Sequence, residues 1–98
     1  MLYAIIGWDH PGSAAARQAA REAHLARLQA MQDEGRLVLA GPFPAIDAED
    51  LSAGVEGSLL VIEFDDLQAA QAWADDDPYV QAGVYREVFV KPFRKVFG

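Results

Sequence analysis

Three segments of this chain are apolar at consecutive positions: residues 5–6, 37–39 and 59–62. If these segments are strands, their successive side chains point to opposite faces, so both faces of the sheet are apolar. Each apolar face then has to be covered by something. With 98 residues the chain has room for one domain with one modest core, and we expect residues 1–98 to form that single domain.

The order of the predicted elements indicates one fold. Short apolar runs bounded by turn residues predict strands, and a long run rich in Ala, Arg, Gln, Glu and Leu predicts a helix. The predicted strands are residues 2–8, 36–41, 58–64 and 84–93, and the predicted helices are residues 14–34 and 67–74, with one further turn at 79–83. This β-α-β-β-α-β order is that of the ferredoxin-like fold, an α+β fold with an antiparallel sheet and both helices on one face.

Two helices on one face leave the other face of the predicted sheet uncovered. No predicted element remains to cover it, and an exposed apolar face of this kind marks an interaction surface. The same face of a second copy is the simplest cover, because a two-fold symmetric pair uses one patch on both subunits. A small domain also buries only a limited share of its surface by itself. We therefore predict a homodimer that packs sheet face against sheet face.

Turn residues predict where these elements begin and end. Ser13 is the expected N-cap of the first helix, and Asp65 or Asp66 is the expected cap of the second. Residues 42–44, Pro-Phe-Pro, are expected to end the second strand. The acidic residues 45–56 that follow are too many for a tight turn, so they form either a hairpin excursion or a functional flap.

The charge of the chain restricts its partners. It has 15 acidic and 8 basic residues, for a formal net charge of −7. Nucleic acids and anionic membranes both attract basic proteins, so neither partner is expected. A small-molecule ligand remains compatible, because a pocket can be basic on an acidic protein. The absence of cysteine excludes disulfides, thiolate nucleophiles and Cys-ligated zinc, and the N-terminus has no targeting pattern, so a cytoplasmic protein is expected.

His24 shares one face of the first predicted helix with Arg17 and Arg21, at spacings of three and four. A half-buried imidazole there can transfer protons near neutral pH. The alternative is a hydrogen-bonded core histidine with no chemistry. The two arginines also have two interpretations: they hold a substrate carboxylate or phenolate, or they belong to a solvated helix face and pair with nearby acids.

Asp77 precedes Pro78, and an aspartate followed by proline is a common helix start. Its carboxylate either caps a turn at residues 78–81 or accepts a hydrogen bond from His24, and one carboxylate can do both. The only other histidine, His10, lies fourteen residues before His24. Two histidines at that distance, without cysteine, do not have the spacing of a metal site, so no metal is expected.

Seven short segments, taken together and in order, resemble the YciI-like (YCII-related) family. They are residues 3–7, 21–25, 39–42, 57–61, 76–79, 82–84 and 92–93. The resemblance covers nearly the whole chain and implies a dimeric α+β barrel of the ferredoxin-like type. It also implies a pocket near the sheet with a His–Asp pair, which falls on His24 and Asp77. One branch of this family removes chloride from chlorinated hydroxyhydroquinones.

Together these features predict a cofactor-free, small-molecule enzyme of the lyase, isomerase or dehalogenase type, with His24 and Asp77 as catalytic residues. The expected substrate-binding residues are Arg17, Arg21, Gly41, Pro42 and Tyr79. Gly41 and Pro42 alternatively form a simple strand end, and Tyr79 an ordinary core aromatic residue. The alternative function is a non-catalytic small-ligand-binding or accessory dimer module. The acidic segment 45–56 and the absence of a strong nucleophile favour that alternative.

Overall fold

Four strands and three helices follow one another in the computed structural model, which describes residues 1–98. In chain order they are β1 (Leu2–Asp9), α1 (Ala14–Asp33), β2 (Leu37–Pro44), β3 (Val55–Glu63), α2 (Leu67–Asp75), α3 (Pro78–Gln81) and β4 (Tyr85–Phe93). The predicted order is confirmed, and the further turn expected after the second helix is the short helix α3. None of the helices is long and apolar enough to cross a membrane.

All four strands belong to one antiparallel sheet with the order β2-β3-β1-β4. Strand β2, which follows α1, lies at one edge, and β3 returns between β2 and β1. Strand β4 forms the other edge, beside β1. This is the split β-α-β arrangement of the ferredoxin-like fold, so the predicted α+β fold is confirmed.

The main core lies between the sheet and the helices α1 and α2. Tyr3 and Ile5 of β1 pair with Ile62 and Leu60 of β3, and all four side chains are buried on the same face. The helices and the residue after β3 complete this core with Leu28, Met31, Phe64, Ala70 and Ala74. Because the two alanines are small, α2 can approach the sheet closely.

The opposite face of the sheet, which we call the open face, is apolar and has no helix on it. Ile6 pairs with Leu59 on one side and with Phe89 on the other, so these side chains share this face. Leu39 and Phe93 extend it, and both are more than 40% exposed, at 47% and 43%. The consecutive apolar residues of the strands thus form a core on one face and an exposed apolar surface on the other.

Some predicted boundaries were wrong. Strand β2 does not end before Pro42 but continues to Pro44, because at the edge of a sheet a proline can direct its missing N–H away from the ladder. The segment after β2 is the connection of a β2–β3 hairpin, closed by a bond from Ala45 N–H to the Gly54 carbonyl.

Ser13 is the N-cap residue of α1, but its side chain makes no capping hydrogen bond. Asp66 does cap α2, as predicted, through the N–H of Ala69.

Candidate functional site

A cavity of about 1070 Å³ lies between the N-terminal half of α1, the β2–β3 hairpin and the end of β1. Its wall includes every predicted site residue except one: Arg17, Arg21, His24, Gly41, Pro42 and Tyr79. Asp77 is the exception, because it lies behind His24 and is bonded to it. The fold thus brings together residues that are up to 60 positions apart in the sequence, from Arg17 to Asp77.

His24 and Asp77 form a buried pair. The His24 Nδ1 atom lies 2.9 Å from Asp77 Oδ1 and 3.1 Å from Oδ2. The two side chains are only 6% and 3% exposed. Asp77 is also the N-cap of α3, where its Oδ1 accepts a hydrogen bond from the Tyr79 N–H at 2.8 Å. The two predicted roles of Asp77 therefore coexist, and both use Oδ1.

The pairing leaves the other ring nitrogen of His24 available. An ionised carboxylate only accepts hydrogen bonds, so Nδ1 carries a proton and Nε2 of the neutral ring carries a lone pair. Nε2 has no hydrogen-bond partner in the chain, and it is not sealed from solvent. Because His24 lines the cavity, Nε2 is the atom that can exchange a proton with a bound molecule.

Tyr79 supports this geometry from the interior. Its ring stacks on the His24 ring, with centroids 4.0 Å apart and planes 14° apart. The Arg17 guanidinium carbon lies 4.5 Å from the centroid of the same ring. Burial raises the pKa of Tyr79, against the opposing charge of Arg17, so its hydroxyl stays protonated at neutral pH. Only 2% of Tyr79 is exposed, so its largest contacts are with protein side chains.

Arg17 is held by a fork of hydrogen bonds. Its Nε donates to Asp9 Oδ2 at 2.9 Å and its Nη2 to Asp9 Oδ1 at 3.1 Å. Nη2 also donates to Ser58 Oγ at 2.9 Å. Burial by itself lowers the pKa of Arg17, but the hydrogen bond and the charge of Asp9 outweigh it, and the pKa is raised. The guanidinium is therefore always charged and fixed in one orientation.

Two further arginines lie in the wall of the cavity. Arg21 is exposed and has no ion-pair partner in the chain, and Arg86 has one long contact, 3.5 Å, with Glu87. Three arginines thus line the cavity, against the two carboxylates of Asp9 and Glu56. When Asp77 behind His24 is included, the number of carboxylates equals the number of arginines. The cavity is therefore close to neutral, whereas the whole chain has a net charge of −7. An anion meets far less repulsion here than elsewhere on the surface.

Gly41 and Pro42 belong to the β2 part of the wall. Pro42 pairs with Ser58 across the β2–β3 ladder, so it lies beside the contact between Ser58 and Arg17. A Cβ atom on Gly41 would meet no atom within 4 Å. Packing within the chain therefore does not require glycine at this position. Both residues lie inside β2, so the interpretation as a strand end is wrong.

Three residues near Arg17 were missed by the sequence analysis: Asp9, Ser58 and Tyr85. Tyr85 lies under this cluster, and burial raises its pKa, with a hydrogen bond to Ser58 acting in the opposite direction. Ser58 carried a usable signal, because it is a polar residue at an inward-facing position beside the apolar run of residues 59–62. Asp9 carried none, since an aspartate in a turn is common.

No group of three or more His, Cys, Asp or Glu side chains is placed to hold a metal ion. The fold and the site together define the class of protein: it is an α+β ferredoxin-like protein with a buried His–Asp pair beside a cavity. The chain belongs to the YCII-related domain family, which matches residues 1–94. This confirms the resemblance seen in the sequence.

The relatives extend over the whole chain. The protein YciI of Escherichia coli O6:H1 is 58% identical over 98 residues, which cover 99% of this chain and all of the relative. A protein of Haemophilus influenzae is 55% identical over the same length, with the same coverage. Among solved structures, 5-chloro-2-hydroxyhydroquinone dehydrochlorinase of Burkholderia phenoliruptrix AC1100, in complex with 2,5-dihydroxybenzoquinone, is similar with a TM-score of 0.85. It is 26% identical, and the match covers 96% of this chain and 94% of that one.

Proposed function

We propose that this chain is a cofactor-free enzyme that acts on a small molecule as a lyase, isomerase or dehalogenase, and that it works as a homodimer. The observation that carries this proposal is the His24–Asp77 pair, which is buried on its Asp77 side and open to a cavity at His24 Nε2. Such an arrangement orients a general base and stabilises the imidazolium that forms when it accepts a proton. Residues 1–98 would form the single domain of each subunit.

The chemistry needs one proton acceptor and one group that stabilises negative charge on oxygen. His24 Nε2 would remove a proton from the substrate, while the Asp77 carboxylate holds the Nδ1 proton and balances the new positive charge. Arg17 and Arg21 would bind the substrate's oxygen atoms. The solved relative is named as a dehydrochlorinase, and loss of HCl is a reaction of this kind, in which a base takes the proton and chloride leaves without oxidation.

The open face supports the homodimer. Its apolar side chains are exposed on a face that neither α1 nor α2 covers, with Phe89 at 44% and Leu39 at 47%. A second copy would present the same apolar face, so a two-fold symmetric contact would cover both at once. Most of the cavity wall lies on the helical side of the sheet, but Trp8 and Gly41, which share the register of the open face, also line it, so a second copy would approach one end of the cavity.

The test starts with 5-chloro-2-hydroxyhydroquinone, the compound named in the solved relative. Chloride release and quinone absorbance are followed under anaerobic conditions with the wild type, His24→Gln and His10→Gln. We expect turnover in the wild type, and His10→Gln tests whether the other histidine, which lies in the exposed turn after β1 and also lines the cavity, contributes to it. In His24→Gln turnover should fall by about 10² to 10⁴-fold, the usual contribution of a general acid–base residue.

Two results separate the candidate functions. If His24→Gln retains full turnover, His24 is not the base, and the mechanism is wrong. If the wild type binds this compound and other enolisable aromatics without chloride loss and without deuterium uptake from D₂O, the chain is a binding module. The binding-module function is favoured by the β2–β3 hairpin, because its residues Leu51 and Glu56 line the cavity.

A further inference from the structure

The cluster around Arg17 contains two residues, Asp9 and Ser58, that the proposed chemistry has not used. We propose that Asp9 and Ser58 are positioning residues, which aim the Nη1 edge of Arg17 at a substrate oxygen that becomes more negative during the reaction. The inference rests on the proposed function and specifies its substrate class. The substrate would be a small molecule with an enolate- or phenolate-forming oxygen at one end and the proton to be removed near the other.

The hydrogen bonds of Arg17 define which edge is available. Nε and one Nη2 proton are directed at Asp9, and the other Nη2 proton is directed at Ser58. The two Nη1 protons take no part in the bonds to Asp9 and Ser58, and Nη1 is not sealed from solvent. The Tyr79 hydroxyl, whose pKa is lowered by a hydrogen bond with Arg17 against the larger effect of burial, is a competing acceptor for the guanidinium. Arg17 lines the cavity, so the one unused edge of the fork is the edge that a bound molecule can reach.

The ion pair between Arg17 and Asp9 determines which kind of oxygen the Nη1 edge of Arg17 binds best. The Asp9 side chain is 5% exposed and forms a bidentate pair with Arg17, so a buried partner already balances the charge of the guanidinium. Such a donor attracts a fully formed anion weakly. It still donates strong hydrogen bonds to an oxygen that gains negative charge in the transition state, and it needs no reorganisation to do so. Arg21, exposed and unpaired, is suited to the opposite task of attracting an anion into the cavity.

Arg17 and His24 are placed to act on one molecule. They lie seven residues apart on α1, which is roughly 10 Å along the helix axis. Tyr79 contacts both, with its ring 4.0 Å from the His24 ring and 4.5 Å from the Arg17 guanidinium carbon, so the spacing between them is fixed by packing. The two distances to the Tyr79 ring place the Arg17 guanidinium carbon within about 8.5 Å of the centre of the His24 ring, so one small ring with a polar group at each end can contact both.

The experiment uses 2,5-dihydroxybenzoquinone, the ligand bound by the solved relative, as a probe of binding that requires no turnover. The Nε–H signal of Arg17 is recorded by NMR and the probe is titrated into the wild type, Asp9→Asn, Ser58→Ala and Ser58→Thr. In the wild type we expect a slowly exchanging Nε–H signal that shifts when the probe binds. Ser58→Ala should weaken probe binding by about tenfold, the usual effect of losing one hydrogen bond. Asp9→Asn should abolish the slowly exchanging Nε–H signal, because Asp9 Oδ2 is the acceptor of that proton.

Two controls distinguish positioning from general loss of structure. Ser58→Thr keeps the hydroxyl group that accepts from Arg17 Nη2 and should restore the probe affinity that Ser58→Ala loses. Arg21→Gln should weaken binding of the anionic probe but leave the Arg17 signal of the unbound protein unchanged. If Asp9→Asn destabilises the fold, the pair Ser58→Ala and Ser58→Thr still tests the inference.

The inference is overturned if the Arg17 Nε–H signal does not respond to the probe, if Asp9→Asn keeps that signal, or if Ser58→Ala binds the probe as tightly as the wild type. Its failure differs from failure of the proposed function. Loss of turnover in His24→Gln with an unresponsive Arg17 signal would retain the enzyme and reject the role of Asp9 and Ser58. A responsive signal in a wild type without turnover would retain the oxygen-binding edge and reject the catalysis.

Discussion

Replacing Asp77 by alanine removes two interactions that share one carboxylate. Oδ1 accepts the Tyr79 N–H at the start of α3, and both oxygens lie within 3.1 Å of His24 Nδ1. Loss of a side-chain cap costs about 1 kcal/mol of stability. Leaving the buried Nδ1–H without an acceptor costs about 1–3 kcal/mol more. We therefore expect Asp77→Ala to lower the free energy of unfolding by about 2–4 kcal/mol.

The assay is urea denaturation at one fixed protein concentration, followed by circular dichroism. Asp66→Ala is the matched control, because Asp66 caps α2 through the N–H of Ala69 and lies outside the cavity. It should cost only about 1 kcal/mol, the value of a cap alone. A double-mutant cycle with His24→Leu then isolates the pair. In that background Asp77→Ala should cost no more than the cap, so the coupling energy should be about 1–3 kcal/mol.

Two results would contradict this reasoning. If Asp77→Ala costs the same in the wild type and in the His24→Leu background, the two side chains are not energetically coupled, and Asp77 is only a cap. If Asp77→Ala costs no more than Asp66→Ala, the buried imidazole finds another acceptor or water when the carboxylate is absent. Either result would also remove the structural reason for assigning a fixed tautomer to His24.

Three further predictions concern assembly, packing and pH. Phe89→Lys, on the open face, should convert the proposed dimer to a monomer in sedimentation analysis, whereas Leu67→Lys, at 46% exposure against 44% for Phe89 but on α2, should not. Gly7→Ala should destabilise the fold by about 1–3 kcal/mol in urea denaturation, because its Cβ would lie 2.5 Å from the Tyr85 ring, whereas Gly41→Ala meets no atom within 4 Å. The pKa of Tyr85 is raised above its ordinary value of 10.0, so above that pH the unfolded chain loses a proton that the folded chain keeps. Stability should therefore fall as the pH rises above 10.0, and Tyr85→Phe should make that fall shallower.

The sequence predicted the parts of the structure that depend on local patterns. Apolar runs and turn residues located every strand and helix, and the Asp–Pro step at Asp77 correctly indicated the cap of α3. The extent of β2 was misjudged, because whether Pro42 can lie in a strand depends on which edge of the sheet that strand occupies. Position at an edge is a property of the topology and not of the segment.

The site was predictable to a lesser degree, for a physical reason. Helical spacing placed Arg17, Arg21 and His24 on one face, and the family resemblance added Asp77. The contact between Arg17 and Ser58 joins residues that are 41 positions apart, and it exists only because α1 packs over β3. Nothing local to either residue encodes that contact, so the orientation of Arg17 could only be found in the folded chain.

The proposed assembly and the proposed chemistry use different faces of the sheet for most of their residues. Alternation along β3 directs Ser58 and Leu60 toward the helices and the cavity, and Leu59 toward the open face. Phe89→Lys would therefore change the proposed contact with a second copy without removing a side chain from the cavity. If Phe89→Lys produced a folded monomer that still bound 2,5-dihydroxybenzoquinone, each subunit would hold a complete site. If the monomer folded but no longer bound the probe, the second copy would be needed to hold β1 and β3, and with them Asp9 and Ser58, in place.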